Sequence, residues 1–367
     1  MVALVILSVL SVLILSVAAF LQSPRFGRLP RGERQTRIER SPNYREGQFR
    51  NRQSLPQFTS DKGVFGNLVA FLTDKNPGLR PRTDLPVVKT DLSALDRETD
   101  WLVWFGHSSY LLQLAGRRIL VDPVFRMASP VSFVNRPFKG TDIYSPDDMP
   151  DIDYLVITHD HWDHLDYRTV TELKPRIGKV VCALGVGEHF ERWGFSPDRI
   201  IELDWDEDAR LDSLLTVSCL PTHHFSGRGL SPNRTLWASY LLHTDTGRNV
   251  YIGGDGGFGS HYAAIGRRFP DIDLAIMENG QYDRAWKHIH LMPNDLEKAI
   301  RDLNPRKVLT VHHAKYALAK HRWDEPLDHI SLMTEKDSLL LFSPMIGEPV
   351  YWADSVPVLS KWWDTCR

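Results

Sequence analysis

A cluster of histidines and aspartates directly after a short apolar run constrains this chain more than any other feature. The run Tyr154–Ile157 predicts a β-strand. Three histidines and two aspartates then fall within the six residues 159–164. Neutral imidazole and carboxylate are ligands that suit zinc and its first-row neighbours. The segment therefore predicts a metal site at the end of a strand, in a protein that uses the metal to activate water for hydrolysis.

The spacing of these residues indicates two adjacent sites. In an extended segment the side chains alternate sides, so His159 and His161 point the same way. If the chain then turns into a helix, Asp163 and His164 point away from that pair. One turn therefore supplies ligands to two metals, but it cannot complete either coordination shell alone.

The remaining ligands are predicted from three further strand-like runs that end in metal-type residues. Leu214–Val217 leads to His223 and His224, and Val308–Val311 leads directly to His312 and His313. The run at 249–252 leads to Asp255, and the flanking glycines at 253, 254, 256 and 257 permit positive φ there. Active sites collect at strand ends, because the sheet holds the backbone while the loops carry the chemistry.

These motifs carry a resemblance to a known family. The segment Thr158–His164 matches the H-x-H-x-D-H signature of the metallo-β-lactamase superfamily, and the later ligand candidates follow in that family's order. Trp104–Ser109, Ile119–Pro123 and His159–Asp166 resemble the branch of N-acylphosphatidylethanolamine phospholipase D and L-ascorbate-6-phosphate lactonase-like proteins. The resemblance covers residues 90 to 345.

The resemblance implies a set of seven ligands for two divalent metals, expected to be zinc, with manganese or iron as alternatives. One metal takes His159, His161 and His224, the other takes Asp163, His164 and His312, and Asp255 bridges them. His223 and His313 are neighbouring alternatives. We favour His224 because the aromatic Phe225 follows it, as in the family pattern, and His312 because it comes first after the strand.

The same resemblance implies catalytic and supporting roles. Two metals lower the pKa of a shared water towards 7, and the resulting hydroxide attacks phosphorus or a carbonyl. Asp163 and Asp255 are candidates for accepting a proton as well as for binding metal, and His290 is expected to reach the substrate or leaving group, unless it is a surface histidine. His107 and Asp122 are expected either to orient ligands by hydrogen bonding or to stabilise turns.

The N-terminus predicts a membrane anchor. Residues 2–21 are uncharged and almost wholly apolar, which is long enough to cross a bilayer as a helix. A cleavable signal is the alternative, although no basic residue precedes the apolar run. Six arginines then recur at every third position: Arg25, Arg28, Arg31, Arg34, Arg37 and Arg40. They predict a cytoplasmic catalytic domain and attraction to anionic lipids.

We therefore expect a single-pass anchor over 1–21, an Arg/Pro-rich linker over 22–60 and a catalytic domain over 61–367. Within the last, residues 64–72 form an amphipathic stretch, either a helix packed on the core or a membrane-surface segment. The alternation of strands and helices in two similar halves predicts a mixed α/β fold, the four-layer αβ/βα sandwich of the metallo-β-lactamases. The metal pair should lie at the edge where the two sheets meet.

Composition limits the partners. The chain has 44 basic and 46 acidic residues, a formal charge of −2, which gives no case for nucleic-acid binding. Three cysteines form no zinc or disulfide motif, and Cys182 and Cys219 are expected to be buried thiols. The branch resemblance, together with the apolar N-terminus beside the arginine tract, implies a phospholipid substrate of the N-acylphosphatidylethanolamine type, cleaved by phospholipase D chemistry. The alternatives are a small soluble ester such as a phosphorylated lactone, or metal binding at a membrane without catalysis.

Overall fold

An apolar helix and an arm lead into the body of the protein. The computed structural model of the chain describes residues 1–60, 66, 69, 76, 78–337, 339–353, 356 and 360–367. The first helix, α1, spans Val2–Leu21 and is exposed along its length. By length and composition it is able to cross a membrane. Most of the predicted amphipathic stretch at 64–72 lies outside the described residues.

The segment predicted to be a linker contains secondary structure and contacts the body of the protein. It comprises a second helix, α2 (Gly32–Glu39), and a hairpin of β1 (Tyr44–Arg45) and β2 (Gln48–Phe49). Arg34 bonds to three glutamates of the body, Glu188, Glu191 and Glu202, at 2.5–2.6 Å. Arginines that the sequence assigned to lipid attraction are therefore partly engaged by protein carboxylates.

The first of two seven-stranded sheets follows the arm. Its order is given by the strands β16 (Pro349–Val350), β3 (Trp101–Trp104), β4 (Tyr110–Leu114), β5 (Arg117–Val121), β6 (Ile152–Ile157), β7 (Ile177–Ala183) and β8 (Ile200–Leu203). Pairing is antiparallel from β16 to β5 and parallel from β5 to β8.

The second sheet repeats this topology. Its strands are, in order, β15 (Leu341–Phe342), β14 (Lys307–Val311), β13 (Leu274–Glu278), β12 (Asn249–Ile252), β11 (Ser239–Thr244), β10 (Leu215–Leu220) and β9 (Asp208–Arg210). Pairing is antiparallel from β9 to β12 and parallel from β12 to β15. Two similar halves of a mixed α/β fold were predicted, and this fold class is confirmed.

Helices connect the parallel strands. They are α3 (Tyr167–Leu173), α4 (Gly187–Arg192), α5 (His261–Arg268), α6 (Pro293–Leu303) and α7 (Glu325–Asp337). In α6 the buried residues Leu296, Ala299, Ile300 and Leu303 recur at helical spacing, which gives one apolar face. Proline opens this helix, and Asn304 ends it in a left-handed conformation.

Burial of the central strands fixes the position of the core. All residues of β3, β4 and β13 are buried, and so are the last four residues of β6. Such burial is expected for strands covered on both faces. Apolar side chains of both sheets join one hydrophobic cluster. Cys182 and Cys219 are buried free thiols, as predicted. The sequence did not predict β9, β16 or α4, because such short segments carry too few residues for a clear periodicity. It also did not predict the 13-residue helix α7.

Candidate metal centre

The loops that carry the predicted ligands meet at one edge of the two sheets. The C-terminal ends of β6, β12 and β14 and the loop after β10 all lead to them. The backbone of Ala238 donates to the carbonyl of Thr158 at 3.0 Å, and Tyr240 Oη donates to the carbonyl of Ile157 at 3.1 Å. These bonds join the second sheet to the end of β6 and hold the two sets of loops together.

The first group of side chains consists of three histidines. His161 Nδ1 lies 2.8 Å from His159 Nε2 and 3.2 Å from His224 Nε2. The other ring nitrogen of His224 donates to the carbonyl of Ile289 at 2.8 Å, and Thr158 Oγ1 lies 3.0 Å from His159 Nδ1. These outer contacts orient the rings, so that three imidazole nitrogens converge on one point.

A second group lies beside the first. It brings ligand atoms of His107, Asp163, His164 and His312 within 4.8 Å of one another. His164 Nε2 lies 3.7 Å from Asp163 Oδ2, and the rings of His164 and His312 stack with centroids 5.3 Å apart. Asp163 is partly exposed, whereas His164 and His312 are buried.

Asp255 lies between the two groups. Its Oδ2 is 3.1 Å from His164 Nε2, and 3.8 Å and 4.0 Å from the Nε2 atoms of His224 and His159. Its Oδ1 is 3.2 Å from His312 Nδ1. Among the described residues, no hydrogen bond satisfies Asp255 Oδ1 or His164 Nε2, although both atoms are buried. Buried polar atoms without partners are costly, and bound cations would satisfy both.

The electrostatics of the groups also suit cations. Burial lowers the pKa values of His159, His224 and His312 well below the usual histidine range, so these imidazoles are neutral and keep the lone pair that a metal requires. Burial opposes the charge of Asp255, but the neighbouring His164, whose own pKa is raised well above the usual range, lowers the pKa of Asp255 well below its usual range. The edge therefore offers three neutral imidazoles beside an ionised carboxylate.

The two supporting residues predicted from sequence contact the second group. Asp122 Oδ2 accepts hydrogen bonds from His164 Nδ1 at 2.8 Å and from Thr158 Oγ1 at 2.6 Å. His107 Nε2 lies 2.9 Å from Asp163 Oδ2. His107, Asp122 and His312 all have positive φ, 53°, 42° and 70°. Such backbone conformations are strained for residues other than glycine. The side chains of all three residues point into this cluster.

His290 also lies over the cluster. Its ring centroid is 5.1 Å from that of His224 and 5.2 Å from that of His312. Its Nδ1 donates to Glu278 Oε2 at 2.6 Å and lies 4.0 Å from Asp255 Oδ2. The side chain is 11% exposed. His290 is therefore not a surface histidine.

The two alternative ligands lie elsewhere. His313 Nε2 is 3.2 Å from the carbonyl of Thr310, and its ring packs on Trp104 at 4.9 Å. Within the described part of the chain, neither His313 nor His223 joins a group of convergent metal-type atoms. The geometry brings together the seven favoured side chains and leaves out these two neighbours.

Comparison with known proteins agrees with this geometry. The β-lactamase superfamily domain matches residues 117–313. The chain belongs to the metallo-β-lactamase superfamily. An uncharacterized protein of Mycobacterium tuberculosis is 35% identical over 334 residues, 89% of this chain and 88% of that protein.

Two further relatives indicate the range of the superfamily. The N-acyl-phosphatidylethanolamine-hydrolyzing phospholipase D 1 of Caenorhabditis elegans is 31% identical over 256 residues, 64% of this chain and 70% of the relative. The metallo hydrolase Igni18 of Ignicoccus hospitalis shares the fold, with a TM-score of 0.53 and 21% identity over 69% of this chain and 97% of the other. The protein is thus a metallo-β-lactamase-fold, metal-dependent hydrolase whose His/Asp clusters are able to bind metals.

Sequence reasoning missed Glu278, which the fold brings to the superfamily site. Besides His290, its carboxylate accepts from the backbone of Leu291 at 2.8 Å and of Gly256 at 3.1 Å. Burial raises its pKa to about 7. An acidic residue at the end of the apolar run Leu274–Met277 was the available signal, because the other site residues also follow strands.

The glycines around Asp255 meet two different requirements. The four glycines permit positive φ, and only Gly254 adopts it, with a φ of 60°. At Gly256 an added Cβ would lie 1.8 Å from Thr222 Oγ1, and at Gly257 it would lie 1.9 Å from the carbonyl of His288. These positions require glycine mainly because neighbouring chain segments approach the loop closely.

Proposed function

We propose that this protein is a phosphodiesterase of phospholipase D type that acts on N-acylphosphatidylethanolamine-like lipids through a two-metal centre. The observation that carries the proposal is the position of Asp255, whose carboxylate lies within 4.0 Å of histidines from both groups of potential ligands. A carboxylate shared in this way suits a pair of adjacent metals.

The seven side chains divide between two metal positions in the proposal. One position is held by His159, His161 and His224, the other by Asp163, His164 and His312, with Asp255 reaching both. Divalent cations bound there, which we take to be zinc, supply a low-pKa water as the nucleophile and neutralise charge on the phosphoryl oxygens.

The protein's own residues prepare this chemistry. Asp122 and His107 hold His164 and Asp163 in orientation through the hydrogen bonds described above. We assign His290 to the leaving group: Glu278 fixes its Nδ1, which leaves Nε2 to donate a proton to the departing alcohol oxygen. Water adds to phosphorus, the bond from phosphorus to the N-acylethanolamine oxygen breaks, and the products are phosphatidate and N-acylethanolamine.

Two observations support a lipid substrate. The C. elegans relative is named for hydrolysing N-acylphosphatidylethanolamine. The apolar helix α1 ends close to the metal-site motif: Phe26, just after the helix, packs edge-to-face on Trp162 with ring centroids 5.0 Å apart. In the orientation favoured by the arginine excess, the catalytic domain faces the cytoplasm.

The direct test uses the full chain, reconstituted in nanodiscs and loaded with zinc. Vesicle-borne N-acylphosphatidylethanolamine is supplied, and released N-acylethanolamine is measured by mass spectrometry. We expect turnover by the wild type and none by Asp163→Ala or Asp255→Ala. Elemental analysis of each protein reports the bound metals independently. Unchanged rates in either variant would contradict the proposed ligands.

A second candidate function is favoured by a polar cavity beside His224. It has a volume of about 470 Å³ and is lined by Arg45, Arg50 and Arg52 of the arm, together with His224 and Phe225. Arg50 pairs with Glu46 and Arg52 with Asp206, but three arginines beside the proposed metal centre still suit a small anionic ester such as a phosphorylated lactone. Turnover of a soluble phosphorylated lactone but not of the vesicle-borne lipid would replace the first proposal with this one.

A further inference from the structure

Two loops with exposed apolar tips flank the end of α1. They are the loops at 129–135 and 227–232, which we call the flanking loops. Phe133 is 69% exposed and Val134 40% exposed at the tip of the first, and Leu230 is 84% exposed at the tip of the second. Large apolar side chains this exposed often mark an interaction surface.

Hydrogen bonds of Arg25 join both loops to the chain as it leaves α1. Its guanidinium donates to the carbonyl of Pro130 in the first loop at 2.8 Å. Its own carbonyl accepts two bonds from the Arg228 guanidinium in the second loop, at 2.8 Å and 3.1 Å. Both loops are therefore held to Arg25, four residues beyond the end of α1.

A cavity and an exposed leucine connect the second loop to the helix itself. The cavity has a volume of about 260 Å³ and is lined by Leu21, the last residue of α1, by Phe26 and Leu29, and by Leu230 of the loop. Leu29 is itself 44% exposed. The apolar side chains Leu21, Phe26 and Leu29 thus lie between the helix and the second loop, beside polar residues such as Arg28.

Both loops are closed by internal hydrogen bonds. Ser129 Oγ donates to the carbonyls of Val131 and Val134, at 2.5 Å and 3.0 Å. In the second loop, Asn233 donates through its backbone to the carbonyl of Ser226 at 3.0 Å, and its Oδ1 accepts from the Ser226 backbone at 3.1 Å. A loop shaped in this way loses little conformational entropy when its tip inserts.

We propose that the catalytic domain docks on the bilayer through this surface, with Phe133, Val134, Leu230 and Leu29 inserted into the lipid interface around the end of α1. The occupant is a lipid bilayer and not a protein partner, because α1 supplies a bilayer at the same place. The exposed Arg31 guanidinium, 69% accessible, lies two residues beyond Leu29, where it is able to meet anionic headgroups.

Docking at this surface would also set the position of the metal centre. The Arg228 guanidinium, besides holding Arg25, donates to the carbonyls of Asp160 and Leu165 at 2.9 Å and 2.6 Å, and its charge lies 4.1 Å from the ring centroid of Trp162. Arg228 therefore contacts both the signature loop 159–164 and Arg25, which belongs to the proposed membrane-docking surface. A headgroup drawn from the bilayer would have a short path to the centre.

Site-specific fluorescence tests the docking without using activity. All three native cysteines are buried, so Leu230→Cys and Phe133→Cys can be labelled selectively with an environment-sensitive dye in the full chain. The probe membrane is a vesicle of phosphatidylcholine and phosphatidylglycerol. Leu214→Cys is the matched control, because Leu214 lies 38% exposed before β10, at the opposite end of that strand from the metal-site loop.

We expect blue-shifted emission and quenching by spin-labelled lipids at positions 230 and 133, and quenching by aqueous iodide at position 214. Leu230→Asp should reduce the lipid quenching of the dye at position 133 severalfold, because the two loops dock together. Iodide quenching at positions 230 and 133 equal to that at position 214 would overturn the proposal. Since the readout needs no substrate, the docking can succeed or fail independently of the lipid hydrolase assignment.

Discussion

The side-chain amide of Asn51 exchanges two hydrogen bonds with the backbone of His224. Asn51 Nδ2 donates to the His224 carbonyl at 2.8 Å, and Asn51 Oδ1 accepts from the His224 backbone N–H at 3.2 Å. The same oxygen accepts from Trp237 Nε1 at 3.0 Å. A residue of the N-terminal arm, 173 positions away in sequence, therefore fixes the backbone of a proposed metal ligand.

Replacing this amide should weaken metal binding. In Asn51→Ala, the loop at His224 loses both bonds, and loss of such support for a ligand typically costs 10–100-fold in affinity or activity. We expect a loss of about this size, measured by competition with a chromogenic chelator. Gln35→Ala is the matched control, because the Gln35 side chain donates to Glu39 within α2 and, among the described residues, makes no side-chain hydrogen bond to the His224 loop. Equal metal affinity in the two variants would contradict the role of Asn51.

Asp122→Asn should impair the site without disturbing the backbone, because asparagine tolerates the positive φ found there. Asp122 Oδ1 accepts from the Thr158 N–H and Oδ2 accepts from His164 Nδ1. An amide can place its one oxygen towards only one of these donors. We expect an affinity loss of about 10–100-fold. Asp153→Asn, which changes a partly exposed partner of Arg97, should leave the metal affinity unchanged.

Removing the Arg34 side chain, whose positive charge joins the arm to the domain, should destabilise the protein. The Arg34 side chain is 13% exposed and bonds to Glu188, which is 2% exposed. Breaking a buried ion pair from one side typically costs about 3–5 kcal/mol. Arg34→Ala should lower the free energy of unfolding by about that amount in urea titrations. Arg31→Ala, which removes a 69% exposed partner of the same glutamate, should cost at most about 1 kcal/mol.

Acid should weaken the ion pair between Arg34 and Glu191. The hydrogen bond from Arg34 lowers the pKa of Glu191 below its usual value. A carboxyl whose folded pKa is depressed stabilises the folded state above its unfolded pKa of about 4.3, and this stabilisation disappears as the pH falls through the folded pKa. The stability difference between the wild type and Glu191→Gln should therefore be largest near neutral pH and vanish in acid. Urea unfolding of both proteins across this range measures it, and a difference that grows in acid would contradict the assignment.

Chelation should lower both activity and stability. A ligand that binds only the folded state stabilises it by about 2.7 kcal/mol at 100 times its dissociation constant. Removing metal from the wild type should therefore lower Tm, and adding zinc should restore it. Asp255→Ala should show a much smaller zinc-dependent shift in calorimetry. A shift as large as that of the wild type would exclude Asp255 from the metal site.

Much of the site was predictable because its chemistry is local. The signature at 159–164 places five metal-type residues in one turn, and the later ligands each follow an apolar strand. His290 was assigned to the substrate from the resemblance, and its packing against His224 and His312 was not readable from the sequence. Asn51 and Glu278 carried no distinctive motif. Their importance arises from contacts with residues far away in the chain.

The glycines around Asp255 and the arginines of the arm show where local reasoning failed. A glycine in a loop suggests positive φ. At Gly256 and Gly257, however, glycine is required because Thr222 and His288 lie too close for a Cβ atom. An arginine repeat beside an apolar helix suggests lipid attraction, but Arg34 instead meets glutamates about 150–170 residues away.

The sequence by itself determined the superfamily, the residues proposed as ligands at the strand ends and the apolar N-terminal helix, because these follow from residue type and short-range spacing. Only the tertiary structure decided which of the paired histidines joins the cluster and where the arginine charges are neutralised. It also decided that the arm supports His224. These outcomes depend on which loops of the two sheets meet at one edge. The residues that meet there come from distant parts of the chain, so no short sequence pattern predicts their contacts.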